Sequence, residues 1–182
     1  NYWLTGGGHW RENELSELIG DHEATSLFAV AAGNFNANLN QRGGVAALQT
    51  THDNVMAIGA EKHTSETVHG LANSRTVFRA GYSNFGPDLT MMAATDSPAV
   101  NKRGNVGTFT GTSAANPNMA AIASLVWSAL PNATGGEIRQ ILIDTATDLT
   151  LPGRDDRTGA GMVNAEGAVR RAIALARDEA LA

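Results

Sequence analysis

Apolar positions along the chain alternate between short unbroken runs and longer stretches in which they recur on one side only. Leu27-Phe28-Ala29-Val30-Ala31-Ala32 and Val55-Met56-Ala57-Ile58-Gly59-Ala60 are runs of strand length without a polar break, and read as interior strands. Thr76 to Arg79 reads as a shorter strand. Arg11 to Ile19 sets Leu15, Leu18 and Ile19 on one side of a charged segment, which predicts a helix on the outside of the sheet. From Met119 to Leu130 the residues are apolar or small nearly all round, predicting a buried helix. Thr134-Gly135-Gly136-Glu137 has the spacing of a capping box, and Ile138, Ile141, Leu142 and Thr145 form the inner face of the helix it starts. A last helix runs from Ala165 to about Arg177 and ends the chain in a charged, frayed end, so that about 165–182 forms a helical charged tail. Strand and helix signals that alternate in this way predict an α/β domain, and no repeat, linker or second-domain boundary interrupts it.

Two small-residue segments carry the candidate chemistry. Gly33 ends the first strand, so Asn34 projects from the strand's C-terminal edge, where ligands gather in open α/β sheets. Gly111-Thr112-Ser113-Ala114-Ala115-Asn116-Pro117 places Ser113 just ahead of the apolar helix. Gly111 and Thr112 permit a tight turn and a cap, and the small residues after Ser113 keep bulk away from its hydroxyl. The start of the following helix directs unpaired amides and the positive end of its dipole at any oxyanion formed beside Ser113. Paired with the Ser113 amide, an Asn34 carboxamide would supply the two donors that stabilise a tetrahedral oxyanion. Taken singly, each segment is also compatible with an ordinary helix cap or a strand-to-turn asparagine.

Together these segments resemble the subtilisin-like serine proteases. The family's Gly-Thr-Ser-x-Ala-x-Pro segment matches Gly111 to Pro117 position by position, and its Ala-Ala-Gly-Asn segment matches Ala31 to Asn34. Between them, Val55 to Ala60 is similar to the strand usually written Val-Ile-Ala-Val-Gly-Ala. Tyr82-Ser83-Asn84-Phe85-Gly86-Pro87, followed by Met92-Ala93-Ala94, is similar to the family's Ser-x-x-Gly-Pro turn and the strand after it. Leu130-Pro131, Glu137 to Leu142 and Gly159 to Asn164 resemble the closing part of the domain, so the matches run in family order to about Ala168.

The resemblance implies a three-layer fold with a mostly parallel central sheet flanked by helices. It implies peptide-bond hydrolysis through an acyl-enzyme, with Ser113 as nucleophile and Asn34 holding the oxyanion. A polypeptide substrate would lie between Leu4-Thr5-Gly6-Gly7-Gly8 and Ala31-Ala32-Gly33, with Gly111 and Thr112 beside the nucleophile. Thr5, Gly6, Gly7, Ala32, Gly33, Gly111 and Thr112 are therefore the expected substrate-binding residues, although the glycines also suit a flexible loop. A pocket floored by alanine and glycine accepts a medium to large apolar side chain. No cofactor is expected for catalysis, and no metal is assigned. Structural calcium is frequent in the family, but Asp155-Asp156 reads equally as a solvated turn.

Family enzymes present Asp, His and Ser in that order. No Asp-x-Gly and no His-Gly-Thr segment precedes Asn34, and His69-Gly70 follows it, which suits a surface loop. His9, His22, His52 and His63 lie among polar residues and read as solvated. The expectation is therefore the C-terminal portion of one catalytic domain, nearly inert until a segment carrying Asp and His joins it. A pseudoprotease that binds peptide without cleaving it and a sedolisin-type serine-carboxyl peptidase are the alternatives. The latter uses an aspartate where Asn34 stands. An α/β-hydrolase elbow would need glycine at Ala115. One further departure is Asn118, where the family usually has histidine.

Composition narrows the rest. With 182 residues, 42% of them hydrophobic, the chain can bury a sizeable core. Its net charge of -5 offers no basic stripe for nucleic acid, and no apolar run is long enough to span a membrane. The absence of cysteine excludes disulfides and thiolate chemistry. Secretion or a cell-surface location follows from the resemblance alone.

Overall fold

The computed structural model describes residues 9–39, 45–68, 71–150 and 152–181. In chain order the elements are α1 (His9–Asp21), β1 (Phe28–Ala31), a 3-10 turn (Val45–Thr50), β2 (Val55–Val68), β3 (Leu71–Arg79), β4 (Met91–Ala94), β5 (Ser97–Val100), β6 (Val106–Phe109), α2 (Thr112–Ala129), α3 (Gly135–Asp144) and α4 (Ala165–Glu179).

Strand β2 is the axis of the sheet. Its first half, apolar on both faces, is fully buried and takes parallel partners on both edges: β1, with Phe28 opposite Val55, and β4, with Met91 opposite Ile58. Beyond Ala60 the strand continues through a polar stretch and pairs antiparallel with β3, from Glu61 opposite Arg79 to Val68 opposite Leu71. The sequence signals end β2 at Ala60 and start β3 at Thr76. They miss this extension because its stability comes from cross-strand pairing, which leaves no apolar period to read. The β5–β6 hairpin, with Ser97 opposite Phe109, also carries no apolar pattern and is not anticipated.

One face of the sheet presents Met56, Ile58, Ala60, Met91 and Ala93 to three helices, which contribute Met119 and Val126 from α2, Ile138 and Leu142 from α3, and Ala168 and Ala172 from α4. A smaller cluster of Ala32, Leu39, Ala46, Ala57, Leu89 and Met92 fills the other face. Helix α1 joins through Ile19, 1% exposed, whose carbonyl accepts the Asn54 side-chain amide at 3.1 Å. Helix α4 starts at Ala165 as predicted, runs two residues beyond Arg177 to Glu179 and is packed on α2.

Helix α2 departs from the expectation of burial all round. Ala120, Ala121, Ser124 and Ser128 are exposed, as is Leu125 at 58%. Composition reports that a helix face can be buried, and burial itself requires a neighbour.

The capping box of α3 forms as predicted: Thr134 Oγ1 accepts the Glu137 amide at 3.3 Å, and Glu137 Oε2 accepts the Thr134 amide at 2.7 Å. Gly135 is required behind it, because a Cβ there would lie 2.2 Å from the Ser26 carbonyl oxygen. Helix propensity alone favours Gly135→Ala. The backbone clash reverses the sign, so the substitution is expected to destabilise by about 1–3 kcal/mol and to lower Tm by several degrees. A melting curve unchanged or shifted upward would contradict this account.

Candidate functional site

Helix α2 begins at Thr112 because Gly111 turns the chain there with φ 91° and ψ 174°, in the left-handed half of the map that other residues avoid. Thr112 is therefore the first helical residue rather than the cap, and Gly111 has no side chain to receive the first-turn amides. The Thr112 N–H instead donates to Asn34 Oδ1 at 2.8 Å. An amide N–H can only donate, so the atom facing it must be the carboxamide oxygen. Asn34 Nδ2 is thereby left as a donor with no acceptor among the described residues. Thr112 Oγ1 donates to the same Oδ1 at 3.1 Å and accepts the Gly33 N–H at 3.1 Å. A Cβ on Gly111 would stand 3.1 Å from Asn34 Nδ2, so the carboxamide lies directly over the turn.

Ser113 is the second residue of the helix, where an N–H has no intrahelical acceptor. It is half-buried, and neither its amide nor its hydroxyl has a partner among the described residues. Pro117, one turn on, has no N–H to offer the Ser113 carbonyl. Two unengaged donors, Asn34 Nδ2 and the Ser113 N–H, thus accompany one unengaged hydroxyl at the start of an 18-residue helix. The arrangement can stabilise negative charge developing on an oxygen beside the serine.

The loop carrying Asn34 is built on a residue that the sequence motifs do not single out. Asn84 is 3% exposed and spends its carboxamide and its backbone N–H on that loop. Its Nδ2 donates to the Ala32 carbonyl at 2.9 Å, its Oδ1 accepts the Phe35 and Ala37 amides at 3.0 and 3.1 Å, and its own amide donates to the Gly33 carbonyl at 2.9 Å. Gly33, with φ 102°, passes so close that a Cβ would lie 2.6 Å from Asn84 Nδ2. The available signal was an asparagine inside the Ser-Asn-Phe-Gly-Pro turn, and turn asparagines are too common to mark a scaffold role.

The structure therefore brings Asn34, Ser113, Gly111, Thr112, Ala32 and Gly33 together. Ala32 and Thr112 are buried, Gly111 forms the turn and Gly33 is half-buried. Thr5, Gly6 and Gly7 lie outside the described residues, as does His69. His22 is exposed. His52, expected in solvent, is half-buried and bonds Ser16 of α1 across 2.7 Å. His63 Nε2 lies 3.2 Å from the buried Glu61 carboxylate, whose proton affinity burial raises against the opposing pull of that histidine. Asn118 Nδ2 donates at 2.9 Å to both the Ala94 carbonyl and Ser97 Oγ, tying the β5–β6 hairpin to α2.

Asp155 is fully engaged by its own loop. It accepts the Thr150 and Thr158 hydroxyls and the Arg157 and Thr158 amides. Burial raises its pKa, and these hydrogen bonds outweigh that to hold the carboxyl below its ordinary value. No group of three or more metal-ligating side chains occurs among the described residues, and none of their helices is long and apolar enough to cross a membrane.

Comparison with known proteins bears on the family and the fold. Residues 4–161 match the model of the Subtilase family. The chain is 34% identical over 146 residues to the halolysin-like extracellular serine protease Nep of Natrialba magadii, which covers 79% of this chain and 23% of that protein. It is 29% identical over 161 residues to alkaline elastase YaB of Bacillus sp. strain YaB, covering 86% of this chain and 36% of that protein. The chain thus spans about a quarter to a third of the length of these relatives. Among solved structures, the subtilase cytotoxin SubAB assembly superposes with a TM-score of 0.74 at 20% identity, covering 96% of this chain and 57% of that one.

Proposed function

Since the chain belongs to the subtilase family, we propose that it contributes the nucleophile and the oxyanion donors of a serine endopeptidase. Ser113 attacks the scissile carbonyl, and Asn34 Nδ2 with the Ser113 N–H receives the oxyanion. The single observation that carries this reading is the double hydrogen bond from Thr112 to Asn34 Oδ1, because it orients the carboxamide with its donor free beside the serine.

A serine hydroxyl needs a positioned base, and the base needs an orienting group. No histidine bonds Ser113 among the described residues, so we assign both functions to further polypeptide carrying His and Asp. The cleft between β1 and α2 supports this reading. It has a volume of about 480 Å³ and is lined by Leu27 and Ala29 on one side and by Ala120, Ala123 and Trp127 of α2 on the other, along a face of α2 that the other described residues leave open. The substrate is a polypeptide, taken with an apolar side chain beside Ala32 and Gly33, and the protein acts outside the cell, as the name of the Natrialba relative suggests.

A fluorophosphonate probe applied to the full-length protein tests the assignment. Peptide mapping is expected to place the adduct on Ser113. An adduct on another serine, or none, would leave a peptide-binding module as the better description.

A further inference from the structure

We propose that Tyr82 and Thr95 are positioning residues for the nucleophile, acting through a closed ring of hydrogen bonds on the backbone of Gly111. The inference rests on Ser113 being the nucleophile and adds two residues that no motif assigns.

The ring has three members. The Gly111 N–H donates to Tyr82 Oη at 3.1 Å, Tyr82 Oη donates to Thr95 Oγ1 at 3.4 Å, and Thr95 Oγ1 donates back to the Gly111 carbonyl at 3.0 Å. Each hydroxyl donates once and accepts once, so the proton positions are mutually determined. Both peptide groups flanking the Gly111 Cα are held, which fixes the one residue whose backbone freedom would otherwise let the Ser113 turn shift.

Each hydroxyl is anchored independently. The Thr95 amide donates to the Glu61 carbonyl at 3.1 Å, extending the β2–β4 ladder by one rung. The Tyr82 carbonyl accepts the Asn36 amide at 2.8 Å, in the loop that carries Asn34. Lys62 Nζ, paired with Asp96 at 3.0 Å, lies 5.6 Å from the centre of the Tyr82 ring. Tyr82 therefore grips the asparagine loop with its backbone and the serine turn with its side chain. The spacing between the two oxyanion donors passes through this residue, and catalysis by preorganised donors is sensitive to displacements well below 1 Å.

Phenylalanine at Tyr82 would keep the ring packing and strand the buried Gly111 N–H without an acceptor, a deficit the turn can relieve by moving. In the full-length protein, Tyr82→Phe is expected to lower kcat per titrated active site by about 10-fold with KM nearly unchanged, and to speed amide exchange at Gly111. Thr95→Val should do the same, Thr95→Ser should restore kcat to within about 2-fold, and the Tyr82→Phe/Thr95→Val double variant should be no worse than either single change. A purely structural role would instead lower Tm and leave kcat per titrated site intact, which overturns the proposal. If the unsubstituted protein has no turnover that depends on Ser113, the proposal falls with the reading beneath it. If that turnover exists and both hydroxyl-deleted variants retain their kcat, the positioning role alone falls.

Discussion

Ser113→Ala is expected to lower turnover of the full-length protein by about 10⁶-fold and to leave its melting temperature within a few degrees of the original. The magnitude comes from subtilisin itself and is carried over as an order of magnitude. The stability half of the expectation comes from this chain. The Ser113 hydroxyl has no hydrogen-bond partner among the described residues and sits in the first turn of a helix, so removing it breaks no contact and leaves no buried group unpaired. Alanine is also the better helix former. Steady-state hydrolysis of an unstructured protein substrate beside a thermal melt separates the two quantities. Retained turnover would remove Ser113 from the chemistry, whereas a large fall in Tm would mean that its hydroxyl carries a contact the geometry does not contain.

The second large effect is expected at Asn34, where two substitutions divide its two tasks. Asn34→Asp keeps an oxygen for the Thr112 amide and hydroxyl and replaces the Nδ2 donor by a carboxylate oxygen. Turnover is expected to drop by about 10² to 10³-fold or more with KM little changed, because the lost interaction forms only as the oxyanion develops. That range is again a subtilisin magnitude. Asn34→Ala loses the donor and the acceptor together, so a comparable fall in kcat should come with a loss of about 1–2 kcal/mol of stability from the uncapped start of α2. Chemical denaturation of the two variants alongside their kinetics is the measurement. An aspartate variant with normal kcat would take Asn34 out of the oxyanion site.

Much of this site was legible from residues near one another in sequence. Ala31 to Asn34 and Gly111 to Pro117 carry their own geometry, since a glycine that must turn and a helix that must start leave a local imprint. Strand β2 was legible where its burial was two-sided, and the α3 capping box because both partners lie within one turn; β1 was legible as an apolar run, but the structure places it half-buried at the sheet edge beside β2 rather than in the interior. What escaped was decided across distance. Asn84 reaches the Asn34 loop over a separation of about 50 residues, and Tyr82 meets Gly111 over 29. A tyrosine or asparagine in a turn looks the same whether its polar atoms face solvent or a distant amide. The exposed face of α2 escaped for a related reason, because its apolar residues describe a partner rather than a position.

The bond between Thr112 and Asn34 spans 78 residues of sequence. A contact of that length closes only after the intervening strands have paired, because the entropy of so large a loop must first be offset by the sheet that forms inside it. A nascent or half-folded chain therefore holds Ser113 without the oriented Asn34 carboxamide. On the proposed function, hydrolytic capacity would be a late product of folding, and a population of unfinished molecules would have no means of digesting itself.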